Sequence, residues 1–187
     1  ANADCRPQML LQFGEMGSLY MERVYGLSKP RVALLNIGEE STKGSRLTQG
    51  AYPLLQGSGL NFIGNIEGKD VYKGIADVVV TDGFTGNVAL KLSEGLSEAL
   101  FRSLRKALAG GVASLGVPAA KLESALGSFV ASWDYSETGG AYLLGINGNV
   151  IIAHGRSDPQ QIKSAIAFAK KAVEGGILKA LLSSGKA

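Results

Sequence analysis

Three short apolar runs in this chain each stop at a polar loop containing glycine: Val32 to Ile37 before GEESTKG, NFIGNI before EGKD, and Ala76 to Val80 before TDGFTGN. Runs of this length, rich in β-branched residues and without strict alternation, fit strands covered on both faces rather than half-exposed ones. Between them lie stretches with helical periodicity. Strands alternating with helices place the chain in the layered α/β class, where ligands collect at the carboxyl ends of the strands. The three polar loops are therefore the first places to look for a site.

The helical stretches carry their own start and stop signals. From Pro7, the residues Met9, Leu10, Phe13, Met16, Tyr20, Met21 and Val24 recur at three- and four-residue steps, and Gly26 closes the segment. Residues 46–57 predict a short helix that Pro53 ends or bends. The pattern over 86–108 predicts a long helix with Val88, Leu92, Leu96 and Leu100 on one stripe, and Pro118 can open a second one running to Val130. Together these two predict a helical hairpin. In YLLGINGNVIIAHG, Asn147-Gly148 between apolar runs is the signal for a two-residue hairpin turn with positive φ at both positions. A final helix is expected from Pro159 to Leu182.

Composition narrows the function classes. With 187 residues, 45% of them hydrophobic and 19% charged, the chain fits one globular domain. A net charge of +3 is too small to argue for nucleic acid, and no nucleic-acid-binding motif supports one. A single cysteine, Cys5, excludes an internal disulfide and fits a reducing compartment. No apolar stretch reaches the length of a membrane span, so a cytoplasmic location is expected. The opening ANADCRPQ has no initiator Met and reads as a chain beginning in mid-fold.

At the site level, the free N–H groups and dipole of the helix start in TDGFTGN serve equally for capping by Thr85 or Asn87 and for holding an anion. The loop NIGEESTKGS offers Glu39, Glu40 and Lys43 around a glycine, with Lys43 able to hold a phosphate as a point charge. Glu67 and Asp70 lack the histidine partners a metal site would want, and no metal is expected. His154, the one histidine, stands at a strand end beside Gly155 and Ser157. No nucleotide-binding glycine fingerprint follows any strand. At the far tip of the predicted hairpin, apolar Leu108, Val112, Leu115 and Val117 with nearby arginines and lysines point to a partner subunit or a membrane surface.

Read in order, ANADCRPQMLLQFGEMGSLY, PRVALLNIGEESTKG, NFIGNIEGKD, ADVVVTDGFTGNVALK and GGAYLLGINGNVIIAHGRSD resemble the PlsX-type phosphate acyltransferase family of bacterial phospholipid synthesis. The resemblance implies a three-layer α/β/α sandwich with a mixed sheet, similar to the isocitrate dehydrogenase and phosphotransacetylase group, with the helical hairpin (86–130) projecting from a single domain (1–187). It also implies a reaction of inorganic phosphate with long-chain acyl-acyl carrier protein to give acyl phosphate, without a cofactor, by a homodimer associated peripherally with the cytoplasmic membrane. Family members are longer, and this chain corresponds to their carboxyl-terminal half. For that chemistry the expected catalytic residues are Lys43, His154, Asn87 and Asn65; Gly38, Glu39, Glu67, Asp82, Gly83, Phe84, Thr85, Gly86, Gly155 and Ser157 are expected to contact substrate. Two alternatives are an NADP-dependent decarboxylating dehydrogenase on a similar fold and a non-catalytic dimerisation or membrane-docking half.

Overall fold

The computed structural model describes residues 2–115, 139–155 and 157–183, with side chains left aside for 108–115. The chain divides into two compact units, residues 1–86 with 138–187, and residues 87–137.

In the first unit, Pro7 opens helix α1 (Pro7–Tyr25), and Gly26 closes it at φ 69, with the Gly26 N–H bonding back to Glu22 O and the Leu27 N–H to Met21 O. Both ends follow from sequence: proline loses nothing at a position whose N–H has no helical partner, and glycine takes the left-handed turn without a Cβ clash. Strand β1 (Arg31–Leu35) then enters the core, helix α2 (Arg46–Gln56) is capped by the Ser45 hydroxyl, and strand β2 (Asn61–Ile66) follows. Helix α2 passes Pro53 and continues to Gln56, so the proline falls in its last turn instead of stopping it. A 3₁₀ turn (Gly68–Lys73) leads to strand β3 (Val78–Val80) and helix α3 (Gly83–Leu115), which begins earlier and ends later than the apolar stripe predicted.

The strands form one parallel sheet in the order β2-β1-β3. Helices α1 and α2 share the face that carries Val32, Leu34 and Val80, with Leu10, Ala51 and Leu55 completing the buried cluster. Their approach is close because Gly14 and Gly17 face the sheet: a Cβ on Gly17 would stand 2.7 Å from Val78 Cγ1. At the amino ends of β1 and β3, the Arg31 guanidinium and backbone N–H both donate to the Asp77 carboxylate, at 2.7–2.9 Å.

Strands β4 (Gly140–Tyr142) and β5 (Ile151–Ala153) form the expected antiparallel hairpin as a two-stranded sheet that, among the described residues, is not joined to the parallel one. The Asn147-Gly148 turn is not formed. Pairing stops at the Leu143–Val150 hydrogen bond, and the positive φ, 79°, falls at Gly145. Leu144 packs instead against a second core that includes Met16, Phe168 and Ile177, which draws the chain out of the ladder.

The last helix is also two elements, α4 (Pro159–Glu174) and α5 (Ile177–Ser183). A full capping box opens α4, with Asp158 accepting from Gln161 N–H and Gln161 accepting from Asp158 N–H. It breaks at Gly175-Gly176 because Gly175 lies against the end of α1, where a Cβ would stand 2.9 Å from Arg23 O, and Gly176 turns at φ 65. The second predicted hairpin helix (118–130) and Val117 lie outside the described residues. No described helix is long and apolar enough to cross a membrane.

Candidate active site

The parallel register sets the site. Leu34 pairs with both Asn65 and Val80, so Asn36, Glu67 and Asp82, two residues further along each strand, begin three loops at one edge of the sheet.

A bulge prepares the first contact. Pairing of β1 with β2 shifts between Val32 and Ala33, where Gly64 adopts φ 98, and alternation along β2 is lost. Asn65 and Ile66 are both buried as a result, Asn65 to 6% exposure. Its Nδ2 donates to Glu40 O at 2.9 Å, from beneath the loop that follows β1. Its Oδ1 is buried with no hydrogen-bond partner in the described structure, a cost of about 1–3 kcal/mol that is characteristic of positions held for function or completed by water.

Two further carboxamides hold the same loop. Asn36 Nδ2 donates to Lys43 O at 3.1 Å while Asn36 Oδ1 accepts from Ile37 N–H, and Gln49 Nε2 on α2 donates to Thr42 O and Gly44 O at 2.9 and 3.1 Å. A turn from Glu40 to Lys43 closes through Lys43 N–H to Glu40 O. Gly44 at φ 97 leaves no room for a Cβ beside Asn36 Oδ1 and Thr48 Oγ1, and the Lys43 stem folds over Gly38, 3.2 Å from where a Cβ would sit. Lys43 itself is exposed and makes no ion pair among the described residues. Sequence reasoning passed over Asn36 and Gln49, since neither a strand-end asparagine nor a glutamine on an exposed helix face carries a motif.

The second loop is neutralised internally. Lys69 pairs with Glu67 at 2.7 Å and Lys73 with Asp70 at 2.7 Å, while Asp70 also accepts from Glu67 N–H. The Glu67 carboxylate holds the Lys69 ammonium above its usual range, with a smaller contribution from Glu39 of the neighbouring loop. The Lys73 ammonium, then the Glu67 N–H, hold Asp70 below the usual carboxylate range.

The third loop is a helix cap. Asp82 accepts from Thr85 N–H at 2.8 Å and from the Thr85 hydroxyl at 2.7 Å, while Gly83 N–H is taken by Asn2 O and Gly86 N–H by Asp82 O. Partial burial pushes the Asp82 carboxyl up, and the hydrogen bonds from Thr85 and Phe84 more than offset it, so it stays ionised below the usual range. Three of the N–H groups that would cradle an anion at this helix start are therefore already engaged. Gly86 approaches the sheet, a Cβ there meeting Thr81 Cγ2 at 2.9 Å, and Phe84 is exposed.

Lys43, Gly38, Glu39 and Glu67 thus lie on adjoining loops, with Asn65 on β2 beneath the first of them and Asp82 to Gly86 at the end of the third strand. His154, Gly155 and Ser157 follow β5 on the separate hairpin, where Ser157 N–H bonds to His154 O at 2.9 Å. Asn87 belongs to the second unit, as do the backbone positions of Leu108, Val112 and Leu115 in α3. Among the described residues no cluster of histidine, cysteine and carboxylate side chains has the arrangement of a metal site.

A family model described as "Fatty acid synthesis protein" matches residues 1–180. The chain belongs to this family. Within it, the protein is similar to phosphate acyltransferases: 49% identical over 98% of the chain to that of Pelotomaculum thermopropionicum, and 50% identical over 93% of the chain to that of Thermodesulfovibrio yellowstonii. The phosphate acyltransferase of Desulfitobacterium hafniense is 50% identical over 96% of the chain. The chain spans about half the length of these relatives, covering 54%, 50% and 54% of them. The family resemblance read from the strand-end loops is borne out.

Proposed function

We propose that this chain supplies the strand-end loops of a phosphate acyltransferase, in which inorganic phosphate attacks the thioester of a long-chain acyl-acyl carrier protein. A phosphate oxygen bonds to the acyl carbon, the carbon–sulfur bond breaks, and the carrier thiolate leaves and takes up a proton. The observation that carries this reading is identity near one half to relatives named for that activity, across nearly the whole chain. The names of those relatives favour acyl transfer over the dehydrogenase alternative.

Phosphate is already an anionic nucleophile at neutral pH, so positioning and charge stabilisation can supply most of the catalysis. Lys43 is the cation that faces phosphate, Asn87 is a neutral donor, Asn65 acts through the Glu40 carbonyl that its amide holds, and His154 serves as proton shuttle or charge stabiliser. Gly38, Glu39, Glu67, Asp82, Gly83, Phe84, Thr85, Gly86, Gly155 and Ser157 border the substrates. At the finer level of the fold, the proposal keeps a single three-layer sandwich with a projecting hairpin (86–130), forming a homodimer peripheral to the cytoplasmic membrane.

Replacing Lys43 by Met at the relatives' full length should lower kcat for acyl phosphate formation by about 100-fold or more. Because the side chain is exposed, the thermal midpoint should be retained. Unchanged turnover would remove Lys43 from the site, and absence of phosphate-dependent acyl transfer in the parent protein would overturn the function.

A further inference from the structure

We propose that residues 38–45 form the loop that receives phosphate's oxygens, and that Asn36, Gln49 and Asn65 are the positioning residues that shape it. This rests on the acyltransferase reading for the identity of the anion, and moves its binding place from the start of α3 to the loop after β1.

In a planar trans peptide, the C=O of one residue and the N–H of the next point in opposite directions. Carbonyls 40, 42, 43 and 44 are each held by a side-chain carboxamide, from Asn65 on β2, Gln49 on α2 and Asn36 beyond β1. The N–H groups sharing those peptide units belong to Ser41, Lys43, Gly44 and Ser45. That of Lys43 closes the turn onto Glu40 O, whereas those of Ser41, Gly44 and Ser45 have no partner among the described residues. They are turned away from the carboxamides that hold their carbonyls, and they flank the one cation of the loop.

Outward N–H groups backed by inward carbonyls make an anion-binding concavity, and an adjacent lysine adds charge. The start of α3 offers the contrary case, because Asp82 and Asn2 O already occupy its N–H groups. Glu39 and Glu40 oppose an anion, but Glu39 lies within electrostatic reach of Lys69. Burial of Asn65 with its Oδ1 unmatched is consistent with a side chain placed to hold Glu40 O at some cost.

The test is a titration of the protein, at the relatives' full length, with inorganic phosphate, read by amide NMR or hydrogen exchange. Amides 41, 44 and 45 should shift or gain protection, with amides 83–86 unmoved; the reverse pattern overturns the proposal. This readout needs no turnover, so it stands apart from failure of the acyltransferase reading. In kinetics, Gln49→Glu and Asn36→Asp keep shape but replace the donating amide by a carboxylate. Each should raise KM for phosphate about tenfold while leaving KM for the acyl donor and the thermal midpoint in place. A wild-type phosphate KM in both variants, or an equal rise in both KM values, would reject the positioning role.

Discussion

Asp77 joins the amino ends of β1 and β3 by accepting from both the backbone and the guanidinium of Arg31, and Arg31 holds its carboxyl down to about 2 from the usual 3.8. A carboxylate depressed in the folded state stabilises fully above its unfolded value, and that stability fades as pH falls through the folded one. Asp77→Asn should therefore be less stable than the parent near pH 6, with the difference closing between about pH 4 and pH 2. Urea unfolding of both proteins across that range checks it, and a gap independent of pH would count against the ion pair. At the same scale, the sequence drew attention to Asn65 and not to Asn36. Asn65 stands in a glycine-rich strand end, GNIEG, while Asn36 looks like any residue closing a strand. Its role depends on a carbonyl seven residues away, at Lys43.

At the scale of elements, the contact of α1 with the sheet depends on residues too small to be recognised as core. Gly14 and Gly17 let the helix axis come down onto Val78 and Val80. Gly17→Ala would gain helix propensity but place its methyl against a stiff β-branched side chain, and should lose about 1–3 kcal/mol of stability in chemical unfolding. A stabilised variant would show that the helix has room to lift. The two ends of α1 and the start of α4 were readable because proline and glycine act on their own turn of the chain, whereas the Ser45 and Asp158 caps emerge from the structure. The Asn147-Gly148 turn and the unbroken last helix were misread because packing of Leu144, and of Gly175 against Arg23, outweighed local preference.

At the scale of the molecule, we propose that the strand-end loops hold phosphate and that the hairpin expected over 86–130 docks the protein on a membrane. The apolar sequence at the tip makes a specific prediction for docking. The protein should float with anionic phospholipid vesicles, and a Leu108→Ser, Val112→Ser, Leu115→Ser variant should remain in the pellet fraction of the gradient while still forming acyl phosphate from soluble substrates. Equal flotation of the variant would move the membrane contact elsewhere.

The sequence alone determined the three strands, the proline start and glycine end of α1, and the family, since each depends on residue types at short spacing or on order along the chain; the cap of α3 is Asp82 rather than Thr85 or Asn87. It also placed Lys43 in a polar loop at a strand end. Only the tertiary structure decided which loop has N–H groups to spare. TDGFTGN and GEESTKG both have glycines and a place after a strand, but hydrogen-bond partners are assigned across elements. Asn2 and Asp82 use those of the first, while Asn36, Gln49 and Asn65 turn carbonyls of the second inward and leave the amides of Ser41, Gly44 and Ser45 without partners among the described residues.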